Sequence, residues 1–116
     1  MTRILIVDDE PLISLLMEDW LTEMGYEVVG PAATIEEGLD LAGSASLDGA
    51  ILDLRLGDQK SYPVATVLAE RGVPFAFATG DENLEDQDDF KDAPILVKPF
   101  DFDAVKGVID KMLARA

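Results

Sequence analysis

Short apolar runs alternate with amphipathic stretches along the chain. Five runs are rich in aliphatic and β-branched residues and are too short for helices, which is typical of strands buried on both faces of a parallel sheet. Each run ends in polar residues, glycine or proline. The five predicted strands are residues 3–7, 27–30, 50–52, 74–78 and 95–97.

Amphipathic stretches between these runs predict helices. Apolar residues within 13–24 recur at spacings of three and four, which places them on one helix face. Pro11 suits the first turn of that helix. We expect later helices to be capped by the side chains of Thr34, Ser61 and Asp101.

Residues 81–92 fit the helical pattern poorly. They contain seven acids and one lysine, with Leu84 and Phe90 as the large apolar side chains. Aspartate is a poor helix former and like charges repel along a helix, so a fourth helix here is predicted to be weak or irregular.

The order of strand then helix predicts an α/β fold. A doubly wound, five-stranded parallel sheet with helices on both faces is expected, joined by right-handed crossovers. A chain of 116 residues corresponds to one domain, which would span residues 1–116.

Composition narrows the possible chemistry. The chain has no cysteine and no histidine, which removes thiolate and Ser-His-Asp catalysis and His-ligated zinc. The net charge of −15 opposes binding to nucleic acid or to anionic membranes, which require basic residues against phosphate. The missing cysteine, with a start that turns acidic too soon for a signal peptide, favours a cytoplasmic location.

Polar residues follow four of the five predicted strands. Asp8 and Asp9 follow the first, and Asp53, Thr79 and Lys98 lie at the ends of the third, fourth and fifth. Each alone is typical of a turn or helix start. Because strand ends of a parallel sheet share one edge, together they predict carboxylates around Mg²⁺, with a hydroxyl and an ammonium facing a phosphoryl group.

Four segments surround the ends of the predicted strands. They are Leu-Ile-Val-Asp8-Asp9-Glu10-Pro11, Ile-Leu-Asp53-Leu-Arg-Leu-Gly57, Phe77-Ala78-Thr79-Gly80 and Val97-Lys98-Pro99-Phe100. Together they resemble the receiver domains of two-component response regulators, and the resemblance covers essentially the whole chain. It implies the doubly wound, flavodoxin-like strand order 2-1-3-4-5. It also implies a single-domain regulator of the Phe-Ala-Thr-Gly branch, which is associated with histidine kinases of the HWE type.

The resemblance assigns roles around a metal ion. Asp53 is implied as the phosphoacceptor. Asp9, Asp53 and the main-chain carbonyl of Arg55 are implied as Mg²⁺ ligands, and Asp8 is implied to act through a metal-bound water.

The resemblance also assigns the phosphoryl-binding groups, which are Thr79, Lys98 and the main-chain amide of Gly80. Thr79 and position 95 are the switch positions of the family. Family members usually carry Tyr or Phe at position 95, where this chain has Ile95. A short, stiff, apolar side chain cannot act as an aromatic switch, so we expect phosphorylation to reshape residues 81–92 instead.

The implied partners are a histidine kinase or histidine phosphotransfer protein as donor, and a downstream protein of unknown identity. The protein would catalyse only its own phosphorylation and dephosphorylation. Arg55 and Asp81 lie two residues after Asp53 and Thr79, so they are predicted to tune the lifetime of the phosphorylated state.

Two other functions share part of this pattern. A small Mg²⁺-dependent phosphohydrolase could use Asp53 as nucleophile, but Arg55 stands where such an enzyme needs a second acid. A flavodoxin-like cofactor binder needs a phosphate-binding loop after the first strand, where residues 8–10 are all acidic.

Overall fold

The computed structural model of the chain describes residues 1–80, 90 and 93–114. The strands of this part are β1 (Arg3–Val7), β2 (Glu27–Ala32), β3 (Gly49–Asp53), β4 (Arg55–Leu56), β5 (Gln59–Lys60), β6 (Phe75–Thr79) and β7 (Ile95–Val97). The helices of this part are α1 (Pro11–Glu23), α2 (Ile35–Ser44), α3 (Tyr62–Glu70) and α4 (Phe102–Ala114).

Within the described residues, five strands form one parallel sheet in the order β2-β1-β3-β6-β7. Counted along this sheet alone, the order is 2-1-3-4-5, so the predicted fold is confirmed. The two remaining strands form a short antiparallel hairpin, β4–β5, directly after β3. The sequence predicted no strand there.

Alternate residues of the strands pack on opposite faces of the sheet, as the two-residue period of a strand requires. On one face, Leu5 and Leu52 pack with side chains of α2 and α3. On the other face, Ile4 and Ile51 pack with side chains of α1 and α4. This two-sided burial explains the continuously apolar strand sequences.

Two of the three predicted helix caps are present in the structure. The Thr34 hydroxyl accepts a hydrogen bond from the Glu37 amide at 3.1 Å, and the Asp101 carboxylate accepts one from the Ala104 amide at 2.9 Å. Ser61 occupies the expected N-cap position, but its side chain caps nothing in the described part of the chain. Its ψ of 12° lies outside the extended region that a capping side chain needs, so that prediction is wrong.

Helix α1 covers the sheet with a narrower stripe than its sequence predicts. Met17 and Leu21 are fully buried, whereas Leu16, expected to face inward, is 38% exposed. Leu12 and Leu15 are exposed by 69% and 55%. No helix within the described residues is long and apolar enough to cross a membrane.

The prediction of a weak fourth helix at residues 81–92 lies outside the described residues, except at Phe90. Phe90 is buried and packs against three aromatic rings, from Tyr62, Phe75 and Phe77, at centroid distances of 5.6–5.9 Å. Phe90 therefore belongs to the core on the face of the sheet that α2 and α3 cover.

Candidate functional site

The candidate site lies at the edge of the sheet where the strands end. Asp8 follows β1 directly and Asp53 is the last residue of β3, and the two neighbouring strands bring them together. Both are buried, with 5% and 6% of their surface exposed. Each of Asp8, Asp9, Glu10 and Asp53 offers a carboxylate oxygen within 4.8 Å of the others.

Backbone amides hold three of these carboxylates in place. The Glu10 amide donates to Asp8 Oδ1 at 2.8 Å, and the Arg55 amide donates to Asp53 Oδ1 at 3.4 Å. The Gly57 amide, in the turn of the β4–β5 hairpin, donates to Asp9 Oδ2 at 2.8 Å. The hairpin thereby attaches the segment after β3 to the segment after β1.

Lys98 supplies the positive charge of the site. Its Nζ lies 3.2 Å from Asp53 Oδ2 and 3.4 Å from Glu10 Oε1. Its backbone amide donates to the Thr79 carbonyl at 2.8 Å, which fixes Lys98 beside the end of β6. The ion pair with Asp53 is mostly shielded from solvent, so it is screened less than a surface pair.

Burial and crowding disturb the ionisation of these groups. Burial, with a smaller contribution from the Asp53 charge, raises the pKa of Asp8 to about 6, against the hydrogen bond from the Glu10 amide. Burial also raises the pKa of Asp53, although the Lys98 ammonium opposes the shift. Burial would lower the pKa of Lys98, but the neighbouring carboxylates outweigh it and raise that pKa.

The donor set fits a hard divalent cation. It consists of carboxylate oxygens from Asp8, Asp9, Glu10 and Asp53, which repel one another at these distances. A bound cation relieves that repulsion. Oxygen donors with room for water favour Mg²⁺, while the histidine and cysteine ligands typical of zinc do not occur in the sequence.

An open cavity of about 420 Å³ gives access to this cluster. The sequence predicted six of the residues that line it, and the structure brings those six together: Asp9, Asp53, Arg55, Thr79, Gly80 and Lys98. Asp8 lies beneath, in the same cluster. Ile95 is half-buried in β7, where it pairs with Phe77 in the strand register. Asp81 lies outside the described residues.

Two further residues at the site received no role from the sequence. Glu10 pairs with Lys98, and Gly57 donates its amide to Asp9. The pairing of Glu10 with Lys98 joins residues 88 positions apart, so no local pattern specifies it. Gly57 has a φ of 61°, a left-handed conformation that favours glycine. The presence of a glycine therefore indicates a turn, but nothing in the sequence indicates that its amide binds Asp9.

Comparison with known proteins agrees with this geometry. The family model of the response regulator receiver domain matches residues 4–110. The chain therefore belongs to the response regulator receiver family. Receiver domains act as response regulators rather than as enzymes that turn over an external substrate, which disfavours the phosphohydrolase alternative.

Three similar proteins illustrate the relationship. SdrG from Sphingomonas melonis Fr1 has a solution structure with 42% identity, a TM-score of 0.85 and coverage of 97% of each chain. The regulator TrrA from Thermotoga maritima, solved with Mg²⁺-BeF, has 32% identity, a TM-score of 0.84 and coverage of 97% of this chain and 100% of that one. The phyllosphere-induced regulator PhyR from Methylorubrum extorquens is 34% identical over 97% of this chain and 43% of its own length.

The chain spans about half the length of curated relatives that it matches. What it shares with them is thus the receiver portion. SdrG, in contrast, is covered almost end to end.

Proposed function

We propose that Asp53 accepts a phosphoryl group in a Mg²⁺-dependent reaction, and that the protein signals through the resulting change of its surface. One observation carries the proposal: Asp53 is a buried carboxylate at the base of an open cavity, paired with Lys98 inside a cluster of acids. A carboxylate placed in this way has both a phosphoryl-binding cation and an entry path for the donor.

The donor is a phosphohistidine on a histidine kinase or histidine phosphotransfer protein, since this chain contains no histidine of its own. An Asp53 oxygen attacks phosphorus while the bond from phosphorus to the imidazole nitrogen breaks. The electron pair of that bond leaves with the imidazole. The mixed anhydride on Asp53 keeps the phosphoryl group next to the Lys98 ammonium, which neutralises part of its charge.

Asp9, Asp53 and the main-chain carbonyl of Arg55 would hold Mg²⁺ directly, and Asp8 would act through a water. When bound, the ion neutralises charge on the transferring phosphoryl oxygens. The oxygen-only donor set and the TrrA relative solved with Mg²⁺-BeF support this assignment. The raised pKa of Asp8 also fits, because a bound cation would stabilise its ionised form.

Thr79 and the Gly80 amide complete the phosphoryl site opposite the acids. Thr79 is buried at the end of β6, and Gly80 lines the cavity beside it. Movement of Thr79 toward the phosphoryl group would shift the backbone that continues into residue 81. At the second switch position the half-buried Ile95 offers no polar ring, so an aromatic flip is replaced by a change in residues 81–92.

The net charge and the similar proteins support proposals about the location, the partners and the activation of the protein. We expect a cytoplasmic regulator that binds neither nucleic acid nor membranes, because its net charge of −15 repels phosphates. SdrG has been solved in a BeF₃-activated conformation, which supports activation by a phosphoryl group here. The donor would be a kinase of the HWE type.

Chemical trapping tests the position of the phosphoryl group. The full chain is treated with acetyl phosphate and Mg²⁺ and then with borohydride, which reduces an aspartyl phosphate to homoserine. Peptide mass spectrometry should find homoserine at position 53. Asp19→Asn, an exposed acid on α1, serves as the control that labels normally. Homoserine at position 8 or 9 with an intact Asp53 would contradict the assignment.

Arg55 and Asp81 are proposed to tune the lifetime of the phosphorylated state. Arg55 is exposed and lines the cavity through which an attacking water would approach Asp53. Dephosphorylation rates of Arg55→Ala, Asp81→Ala and the double variant should differ from the parent rate. If the two act as a charged gate, the double variant should deviate from the sum of the single effects. Equal rates in all four proteins would remove the proposal.

A further inference from the structure

A second cleft lies beside the candidate site, between α1 and the end of β2 with the loop that follows it. Its volume is about 370 Å³. Apolar side chains from both elements line it, among them Pro11, Leu15, Pro31 and Ala33. Leu15 is 55% exposed, so part of its apolar surface remains open to an occupant of the cleft.

Carboxylates accompany these apolar side chains. Glu18 lines the cleft from α1, one turn after Leu15, and is half-buried. Asp8 and Asp9 line its inner end, where it borders the acidic cluster of the candidate site. The cleft thus combines an apolar lining with negative charge.

The sequence around the cleft is devoid of positive charge. Residues 4–54 contain twelve of the 24 acidic residues and none of the nine lysine and arginine residues. All residues that line the cleft fall within this span. Within the described part of the chain, Glu18 also takes part in no ion pair with a cation from elsewhere in the fold, so its charge is available to a partner.

We propose that this cleft binds an arginine or lysine side chain presented by a basic, amphipathic segment of a partner protein. The aliphatic stem of such a side chain packs against Pro11, Leu15 and Pro31, and its cationic head reaches the carboxylate of Glu18 or Asp9. Arginine is the better occupant, because its planar guanidinium binds a carboxylate through two parallel hydrogen bonds.

Charge complementarity selects this occupant over others. Phosphates of nucleic acids and of lipids are repelled by the same acids. A purely apolar side chain would desolvate Glu18 without giving it a partner, which costs free energy. The cleft shares Asp9 with the cavity that leads to Asp53, but Leu15, Glu18 and Pro31 line the cleft alone, so the inference stands without the proposed phosphotransfer.

A peptide titration of the full, unphosphorylated chain tests the inference. The probe is an amphipathic helical peptide of leucine and arginine, and its counterpart carries glutamine at each arginine. Amide chemical shifts of the ¹⁵N-labelled protein should change at Leu15, Glu18 and Ala33 with the arginine peptide. The glutamine peptide should give no saturable change. Shifts concentrated around Gly57 and Gly80 instead would place the peptide at the candidate site and overturn the proposal.

Matched charge reversals distinguish binding in the cleft from a general attraction between the basic peptide and the acidic protein. Glu18→Lys should weaken binding of the arginine peptide by about tenfold or more, since it places a like charge against the occupant. Glu23→Lys makes the same change on an exposed residue further along α1 and should weaken binding by about twofold at most. Equal losses in the two variants would show attraction without a site and contradict the proposal.

Leu15→Ser tests the apolar part of the cleft. This variant should also bind the arginine peptide more weakly, because the aliphatic stem of the arginine loses a packing surface. Its thermal unfolding midpoint should change little, because Leu15 is so exposed. Sedimentation of the protein alone tests whether a second copy fills the cleft. We expect a monomer at all concentrations. A concentration-dependent dimer that Glu18→Lys dissociates would overturn the proposal of a separate partner.

Discussion

The interiors of β1 and β3 and the ends of the same strands are buried to nearly the same degree but contain opposite chemistry. Leu5 and Leu52 are completely buried, and Asp8 and Asp53 are only 5% and 6% exposed. Burial of the leucines stabilises the fold by about 25 cal/mol for each Å² of apolar surface. Burial of the carboxylates opposes folding unless a cation compensates their charge. The strands thus stabilise a rim that would not be stable by itself.

This contrast explains why the acids at the strand ends can form a binding site. Carboxylates held close together by the fold repel one another, so a ligand that relieves this repulsion binds more tightly. A metal ion is such a ligand, whereas a phosphoryl group adds negative charge and depends on the metal ion and on Lys98 to neutralise it. Variants that replace apolar residues of the interior or charged residues of the rim should therefore change stability in opposite directions.

The largest expected effect on stability is in the interior. Phe77→Ala removes a fully buried ring that contacts Tyr62, Phe75 and Phe90. We expect a loss of about 3–5 kcal/mol in the free energy of unfolding, measured by urea denaturation. A loss below about 1 kcal/mol would mean that the interior rearranges to fill the cavity. Interior and rim would then differ less in their effect on stability than we expect.

The rim should respond with the opposite sign. Asp8→Asn removes a buried charge while keeping the shape of the side chain, so the free energy of unfolding at pH 7 without Mg²⁺ should rise by about 1–3 kcal/mol. Asp19→Asn, an exposed acid on α1, should change it by less than about 0.5 kcal/mol. Destabilisation by Asp8→Asn in the same urea series would show that the buried charge is already compensated.

The stability of the metal-free protein should depend on pH in the direction set by Asp8. Its pKa rises from 3.8 to about 6 on folding, so between these values the folded protein holds a proton that the unfolded chain has lost. The free energy of unfolding should therefore fall as pH rises from about 4 to 6, by about 1.4 kcal/mol per unit from this group. Asp8→Asn should flatten the slope, and saturating Mg²⁺ should restore stability above pH 6. A stability that rises over this range would contradict the raised pKa.

The smallest effects concern single hydroxyls. Ser61 is fully buried and its Oγ has no hydrogen-bond partner among the described residues, so Ser61→Ala should leave stability unchanged or raise it by up to about 1 kcal/mol. Thr34→Ala removes a hydroxyl that caps α2 and should cost about 1 kcal/mol. Thermal unfolding of the two variants in parallel would measure the difference, and equal losses would imply that Ser61 Oγ also has a partner.

The sequence predicted the sheet and the acidic rim because both rest on strong local patterns. Continuously apolar runs such as residues 3–7 specify buried parallel strands, and acids placed at their ends must meet at one edge. The β4–β5 hairpin escaped prediction because its strands, Arg55–Leu56 and Gln59–Lys60, have only two residues each. The ion pair of Glu10 with Lys98 escaped because the two residues are 88 positions apart.

Intact mass of the full chain after incubation with acetyl phosphate and Mg²⁺ tests whether Asp53 is the phosphoacceptor. We expect the parent to gain the mass of one phosphoryl group, chelation of Mg²⁺ to abolish the gain, and Asp53→Asn to show none. Asp19→Asn should label like the parent. A normal gain of mass in Asp53→Asn would mean that another residue accepts the phosphoryl group, and a normal gain in the parent without a divalent cation would mean that the reaction needs no metal ion.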